Sequence, residues 1–385
     1  MKKLVIWRKL MYYGESSRGK IERGWIVVFM CATVIFLWML MLKVDYMNKS
    51  NNLNLEKVNY NAQKLSTNYA ENVEKSTHNI IEKAAKCVVG ISKLENNGSS
   101  FLSFNNNFVG VGSGIIISEN GYILTNEHVA GSKYSNVYVT LENGAKYNSS
   151  VIWSDDSLDL AIIKIPCENL EYLNFGDSDT VELGENVFAI GNPIGAEFQR
   201  TVTKGIVSGK NRTIKIVENG KEMYMEDLIQ TDATINNGNS GGPLINENGE
   251  LLGVNTVKIS EAESIGFAVP INIVKPVLET LEKEGKISDA YLGIYAFDSE
   301  VLPYLESNLK FEKGIYVVSV DKQESLSGGN IMVGDIIEKV DGQEVNKMNE
   351  LRKIIFTKKP GEIVKLTVKR NNQILEIEAK INSKY

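Results

Sequence analysis

Residues 236–245 read NNGNSGGPLI and place Ser240 in a run of Asn and Gly. Such a run is either a surface turn, since Asn and Gly accept positive φ angles, or a loop that holds a nucleophile. A serine hydroxyl attacks a carbonyl only when a base takes its proton and a third group orients that base. His128, in GYILTNEHVAG, is the one histidine beyond His78, and Asp159 follows in SLDLAIIKI. His, Asp and Ser in this order suit base, orienting carboxylate and nucleophile of an acyl transfer. Asp155 and Asp156 compete for the carboxylate's role. His78 has polar neighbours and reads as a solvated side chain. A lone histidine leaves a histidine zinc site without ligands, so no metal and no cofactor are expected. VGVGSG at 109–114 loosely resembles a phosphate loop, but a strand and an NG turn follow where a helix is needed, so it reads as tight strand packing.

These residues need a scaffold, and 385 residues with 43% hydrophobic composition suffice for two or three packed domains. The net charge of −6 is unevenly placed, because Lys2, Lys3, Arg8, Lys9, Arg18, Lys20 and Arg23 outweigh Glu15 and Glu22 at the N-terminus. The remainder is acidic, which argues against a nucleic-acid partner. Residues 24–42, GWIVVFMCATVIFLWMLML, carry no charge and approach the ~20 residues that span a hydrocarbon core. They read as an N-terminal transmembrane helix rather than a cleaved signal peptide, since no small-x-small site follows. The positive-inside rule puts residues 1–23 in the cytoplasm and the rest outside, at the cell membrane. Residues 43–77, rich in Asn, Lys, Ser and Glu, read as a polar linker.

From about residue 84 to 280 short Val- and Ile-rich runs alternate with Gly and Asn turns, the pattern of an all-β sandwich or barrel domain. INIVKPVLETLEKEGK at 271–286 then has helical spacing, with Ile273, Val277, Leu278 and Leu281 on one face. Residues 289–383 mix strands with the helical stretch NELRKIIFTKK and form a smaller module. Cys87 and Cys167 flank apolar strands and read as buried free thiols, with a disulfide as the alternative.

TNEHV, DLAIIKI, FGDSDTVELGENVFAIGNPIG, QTDATINNGNSGGPLIN and GVNTVKISEAESIGFAVP resemble successive blocks of the HtrA (Deg) family of serine proteases, and YLGI at 291–294 resembles the carboxylate loop of its PDZ domain. The resemblance implies a mainly β fold, with a chymotrypsin-like double β-barrel over 78–286 and an α+β PDZ domain over 287–385. It also implies a homotrimer and unfolded or misfolded proteins as substrates, with a regulatory protease of one membrane-associated target, or a non-enzymatic scaffold, as alternatives.

That family's D-L-A pattern selects Asp159 over its neighbours. The resemblance makes His128, Asp159 and Ser240 the catalytic residues, with the oxyanion met by amides of Gly238 and Ser240 and the loop set by Asn239. It makes Thr234, Ile235, Asn255, Thr256 and Val257 the wall of a pocket for small or medium aliphatic P1 side chains. Tyr291, Leu292, Gly293 and Ile294 would capture a peptide's C-terminus, and the segment from Thr201 to Glu226 would relay that binding to the protease. The chain departs from the family at Asn237, where proline is usual, at Glu127, and in ESLSGGNIM.

Overall fold

The computed structural model describes residues 32–33, 35–43, 77–94, 108–192, 201–218, 221–236, 238–258, 264–285, 287–305, 309–321 and 331–384, with backbone alone at 94, 108–111, 217–218, 221 and 257–258. Two compact units result, Met1–Lys75 and Ser76–Tyr385. In the first, residues 32–33 and 35–43 are helical and Ile35–Leu42 are exposed. Among the described residues no helix is long and apolar enough to cross a membrane; much of the expected span, and of the 43–77 linker, lies outside them.

The second unit opens with a helix over residues 77–86, on which His78 is exposed and Ala84 and Ala85 are buried. Strands β1 (Val88–Leu94), β2 (Phe108–Ile116), β3 (Tyr122–Thr125), β4 (Asn136–Thr140), β5 (Lys146–Asp155) and β6 (Leu160–Lys164) close a first barrel in the order β1-β2-β3-β6-β5-β4. Strands β7 (Asn186–Gly191), β8 (Thr201–Glu218), β9 (Lys221–Thr231), β10 (Pro243–Ile245), β11 (Leu251–Lys258) and β12 (Gly266–Pro270) close a second, β10-β11-β12-β9-β8-β7. Closure hides the strand edges, and β-branched residues suit the pleated inner faces. Ile91, Ile115, Ile123, Ile162 and Ile163 fill the first barrel; Val187, Val207, Ile229, Leu244 and Ala268 fill the second. The glycines of VGVGSG do serve close packing: a Cβ on Gly114 would lie 2.6 Å from Ile91.

A helix, Lys275–Glu284, leaves the second barrel with Val277 and Leu281 buried, and ends where Gly285 (φ 70°) donates its amide to the Leu281 carbonyl. The last module comprises β13 (Ala290–Tyr291), β14 (Ile294–Phe297), β15 (Ile315–Val320), β16 (Ile336–Val340), β17 (Gln343–Glu344), the helix Met348–Phe356, β18 (Ile363–Arg370), β19 (Gln373–Lys380) and β20 (Asn382–Ser383). Its sheet runs β14-β15-β16-β18-β19, which leaves β14 on an edge. Residue 286, the boundary expected from sequence, and most of ESLSGGNIM lie outside the described residues. Cys87 and Cys167 are both free thiols, and burial pushes Cys87 up to about 12.

The long β8–β9 hairpin packs against the final module. Thr213 Oγ1 donates to Glu300 Oε2 (3.1 Å), Tyr304 Oη donates to the Thr213 carbonyl (2.7 Å), and the Asp298 amide donates to Glu226 Oε1 (3.2 Å). Lys347 Nζ bridges Asp227 (2.7 Å) and Glu300 (2.8 Å). Burial pushes Glu226 up to about 8, outweighing Arg352, and raises Asp227 and Asp298 as well. A carboxyl raised on folding stabilises the folded unit fully below its ordinary value, and that stabilisation is lost as pH rises through the folded pKa. The melting temperature should therefore fall between about pH 5 and about pH 8, and Glu226→Gln should flatten the decline. An identical decline in Glu226→Gln, followed by thermal melting across that range, would remove Glu226 as its source.

Candidate active site

Asp159 lies in the turn between β5 and β6 at φ 54°, a left-handed conformation uncommon outside glycine. Its backbone is held there by Asn126, whose Nδ2 donates to the Asp159 carbonyl (2.8 Å). The competing carboxylates are otherwise engaged: Asp155 Oδ1 accepts from Ser157 Oγ (2.6 Å) and the Leu158 amide (3.1 Å), and Asp156 meets Lys384 Nζ (2.6 Å). Asp159 meets His128, from the short helix Glu127–Ala130, with Nδ1 2.9 and 2.8 Å from its two oxygens and the His128 amide donating to Oδ1 (3.0 Å). The carboxylate can only accept from Nδ1, so the Nδ1–H tautomer is the one that fits and Nε2 is left as the base. Burial alone would lower the His128 pKa, but the hydrogen bond and charge of Asp159 outweigh it and hold the ring above its ordinary value.

Ser240 comes from the second barrel. Its loop turns through Gly238 (φ 114°) and Gly241 (φ 81°), where a Cβ would lie 2.2 Å from the Ser113 carbonyl. Asn239 braces the turn: its amide donates to the Asn236 carbonyl (3.1 Å), Oδ1 accepts from the Asn236 amide (2.9 Å), and Nδ2 donates to the Thr234 carbonyl (2.9 Å). Among the described residues the amides of Gly238 and Ser240 have no intramolecular acceptor, which leaves both as donors. Asn237 lies outside the described residues. Ser240 Oγ donates to the Thr256 carbonyl (3.0 Å) and makes no hydrogen bond to His128 among the described residues, although both side chains border one cavity. Thr256 also donates through Oγ1 to Asp159 Oδ2 (2.5 Å). It thus touches nucleophile and carboxylate together, a role that its position in the pocket segment did not disclose.

That cavity, of about 1140 Å³, joins His128, Asp159 and Ser240 to Ile235 and Thr256, and runs on to Tyr291, Leu292 and Ile294 of the final module. Two expected pocket residues stand elsewhere, and a third has no described side chain. Thr234 is exposed outside the cavity; Val257 is described by its strand backbone alone. Asn255 is fully buried, donates through Nδ2 to the Pro243 carbonyl (2.9 Å) and accepts the Gly241 amide (2.8 Å), so it braces the serine loop. Gly293 is a turn residue (φ 77°) whose carbonyl accepts from the Asp321 amide. Beside this turn β14 and the helix Met348–Phe356 border the same cavity, with Ala296, Leu351 and Ile355 forming an apolar groove along an unpaired strand edge.

Residues 112–254 match the trypsin-like peptidase domain and residues 289–381 the PDZ domain. Over 326 residues the chain is 37% identical to the serine protease Do-like HtrA of Bacillus subtilis, covering 79% of this chain and 72% of that protein. The chain belongs to the HtrA family of serine proteases. It is 34% identical to the serine endoprotease DegS of Haemophilus influenzae over 78% of this chain and 86% of the relative. Among solved structures, the HtrA-type protease AlgW with tripeptide superposes with a TM-score of 0.59 at 30% identity, covering 80% of this chain and 97% of the other. This HtrA protein is a serine endopeptidase with a PDZ module.

Because a hydrogen bond to a charged group contributes about 1.5–3 kcal/mol, Thr256→Val should lower kcat by about tenfold or more with KM little changed. Steady-state kinetics on a fluorogenic peptide would check this; a loss confined to KM would assign Thr256 to substrate binding alone.

Proposed function

We propose that this endopeptidase hydrolyses unfolded or damaged proteins outside the cytoplasm through Ser240, His128 and Asp159, tethered to the membrane by residues 24–42. The observation that carries the chemistry is the carboxylate–imidazole pair with a serine on the same cavity wall. In the reaction Ser240 Oγ swings from the Thr256 carbonyl to His128 Nε2, gives up its proton and attacks the peptide carbon. The oxygen that gains charge is met by the Gly238 and Ser240 amides, and Asp159 stabilises the imidazolium. His128 then protonates the leaving amine. Water enters, His128 takes its proton, and hydrolysis of the acyl-enzyme restores Ser240.

Ile235 on the cavity wall supports an aliphatic P1 preference. The apolar groove on β14 suits an extended peptide that adds as a strand and ends at the 291–294 turn. The eight exposed apolar side chains Ile35–Leu42 support the anchor, because a contiguous apolar surface of that kind marks a membrane or protein contact. A homotrimer follows from the family resemblance. A second reading, a regulatory protease of one membrane-associated target, draws support from the serine being turned away from its base, the resting geometry that a switched enzyme needs.

The full chain in detergent should degrade reduced β-casein, and Ser240→Ala should lose more than about 10³ in rate. Peptides with Val at P1 should be cut at least about tenfold faster than those with Lys. In cells the chain should sediment with membranes and resist alkaline extraction. Intact casein beside rapid cleavage of one membrane-protein fragment would favour the second reading; equal turnover by Ser240→Ala would refute the mechanism.

A further inference from the structure

Ser113 lies on β2 of the first barrel, fully buried, and the chemistry above gives it no part. Its hydroxyl nevertheless crosses to the second barrel. Ser113 Oγ donates to the Gly238 carbonyl (2.5 Å) and accepts from the Asn192 amide (2.7 Å). The Ser113 amide donates to the Ser240 carbonyl (2.8 Å), and its own carbonyl accepts from Thr125 Oγ1 (2.6 Å). One residue therefore grips the backbone carbonyls of Gly238 and Ser240, the two residues whose amides remain free to meet an oxyanion.

Gly238 is the natural pivot of this loop. At φ 114° and without a Cβ it can rotate its flanking peptides at little steric cost. The Ser240 amide is fixed separately, since the Asn239 carbonyl of the same peptide plane accepts from the Gly242 amide (2.9 Å). For Gly238 the hydroxyl of Ser113 holds the following peptide, Gly238–Asn239, whose amide donates to the Asn236 carbonyl (3.1 Å), and so fixes the backbone from which the Gly238 amide projects. Without it a buried carbonyl and the Asn192 amide would each lose a partner, and the loop would relax toward whatever donor it could reach, carrying the Gly238 amide with it. We infer that Ser113 is a positioning residue for the oxyanion site: from the opposite barrel it holds the Gly238 and Ser240 carbonyls, and with them the place of the loop that carries the two amides. This rests on the proposed mechanism and adds to it the part that keeps the site preorganised.

A peptide boronate tests this, because its serine adduct is tetrahedral and places an oxygen where the oxyanion forms, whereas a product peptide does not. In the full chain Ser113→Ala should lower kcat about tenfold or more with KM within about twofold, short of the 10²–10³ seen when a donor is removed outright. Boronate affinity should weaken by the same factor while product-peptide affinity holds. Ser113→Cys, which fills the site with a weaker donor, should fall between, and keeps the test informative if the alanine variant does not fold. Ile91→Val, equally buried in the same barrel, should lower the melting temperature and leave kcat and boronate affinity alone. Folded Ser113 variants with wild-type kcat and boronate affinity, or a loss carried entirely by KM, would overturn the assignment while the mechanism stood. A parent chain with no Ser240-dependent turnover and no boronate adduct would remove both.

Discussion

A carboxylate held between two barrels is the constraint on which the arrangement depends. Asp159 is presented by the first barrel at a positive φ and accepts from His128 of the same barrel and from Thr256 of the second. A buried or half-buried anion is costly unless donors surround it, so these contacts keep the charge where the imidazole needs it. The same contacts tie the barrels together at the one place where base and nucleophile must meet. Each barrel closes around its own apolar interior, and the chemistry is assembled from loops at their junction.

The serine loop obeys the complementary requirement, that donors rather than acceptors be left over. Asn239, Asn255 and Ser113 consume the loop's other polar groups, and the amides of Gly238 and Ser240 remain. The hydroxyl itself rests on the Thr256 carbonyl. The PDZ module borders the same cavity, and its helix carries Arg352, which reaches Ser157 (3.3 Å) two residues before Asp159 and lies 4.0 Å from Glu226. The PDZ helix therefore contacts the turn that carries Asp159.

Much of this was legible in the sequence. Short Val- and Ile-rich runs between Gly and Asn turns signalled an all-β sandwich or barrel, and VGVGSG as tight packing follows from the space a Cβ would need at Gly114. His128, Asp159 and Ser240 stood out because their types form a chemical set and their blocks resemble one family. What stayed hidden depended on contacts between residues far apart in the chain. Thr256 read as pocket wall because its bond to Asp159 spans 97 positions, and Asn255 read the same way although it points into the protein. Ser113 gave no local signal, since a serine between glycines in a strand suggests packing and its partner Gly238 is 125 positions away. The Lys347–Asp227 and Glu226–Asp298 contacts were equally invisible, because charge patterning says nothing of which carboxylates become buried.

The central claim is that Asp159 fixes the tautomer and charge affinity of His128. Proton NMR of the imidazoles tests it directly, because the chain holds only two histidines, His78 and His128. A strongly downfield Nδ1 proton on His128, with a titration above the ordinary histidine value and both lost in Asp159→Asn, is the predicted result. A His128 that titrates at or below the ordinary histidine value, and whose Nδ1 proton is indifferent to Asp159→Asn, would contradict it.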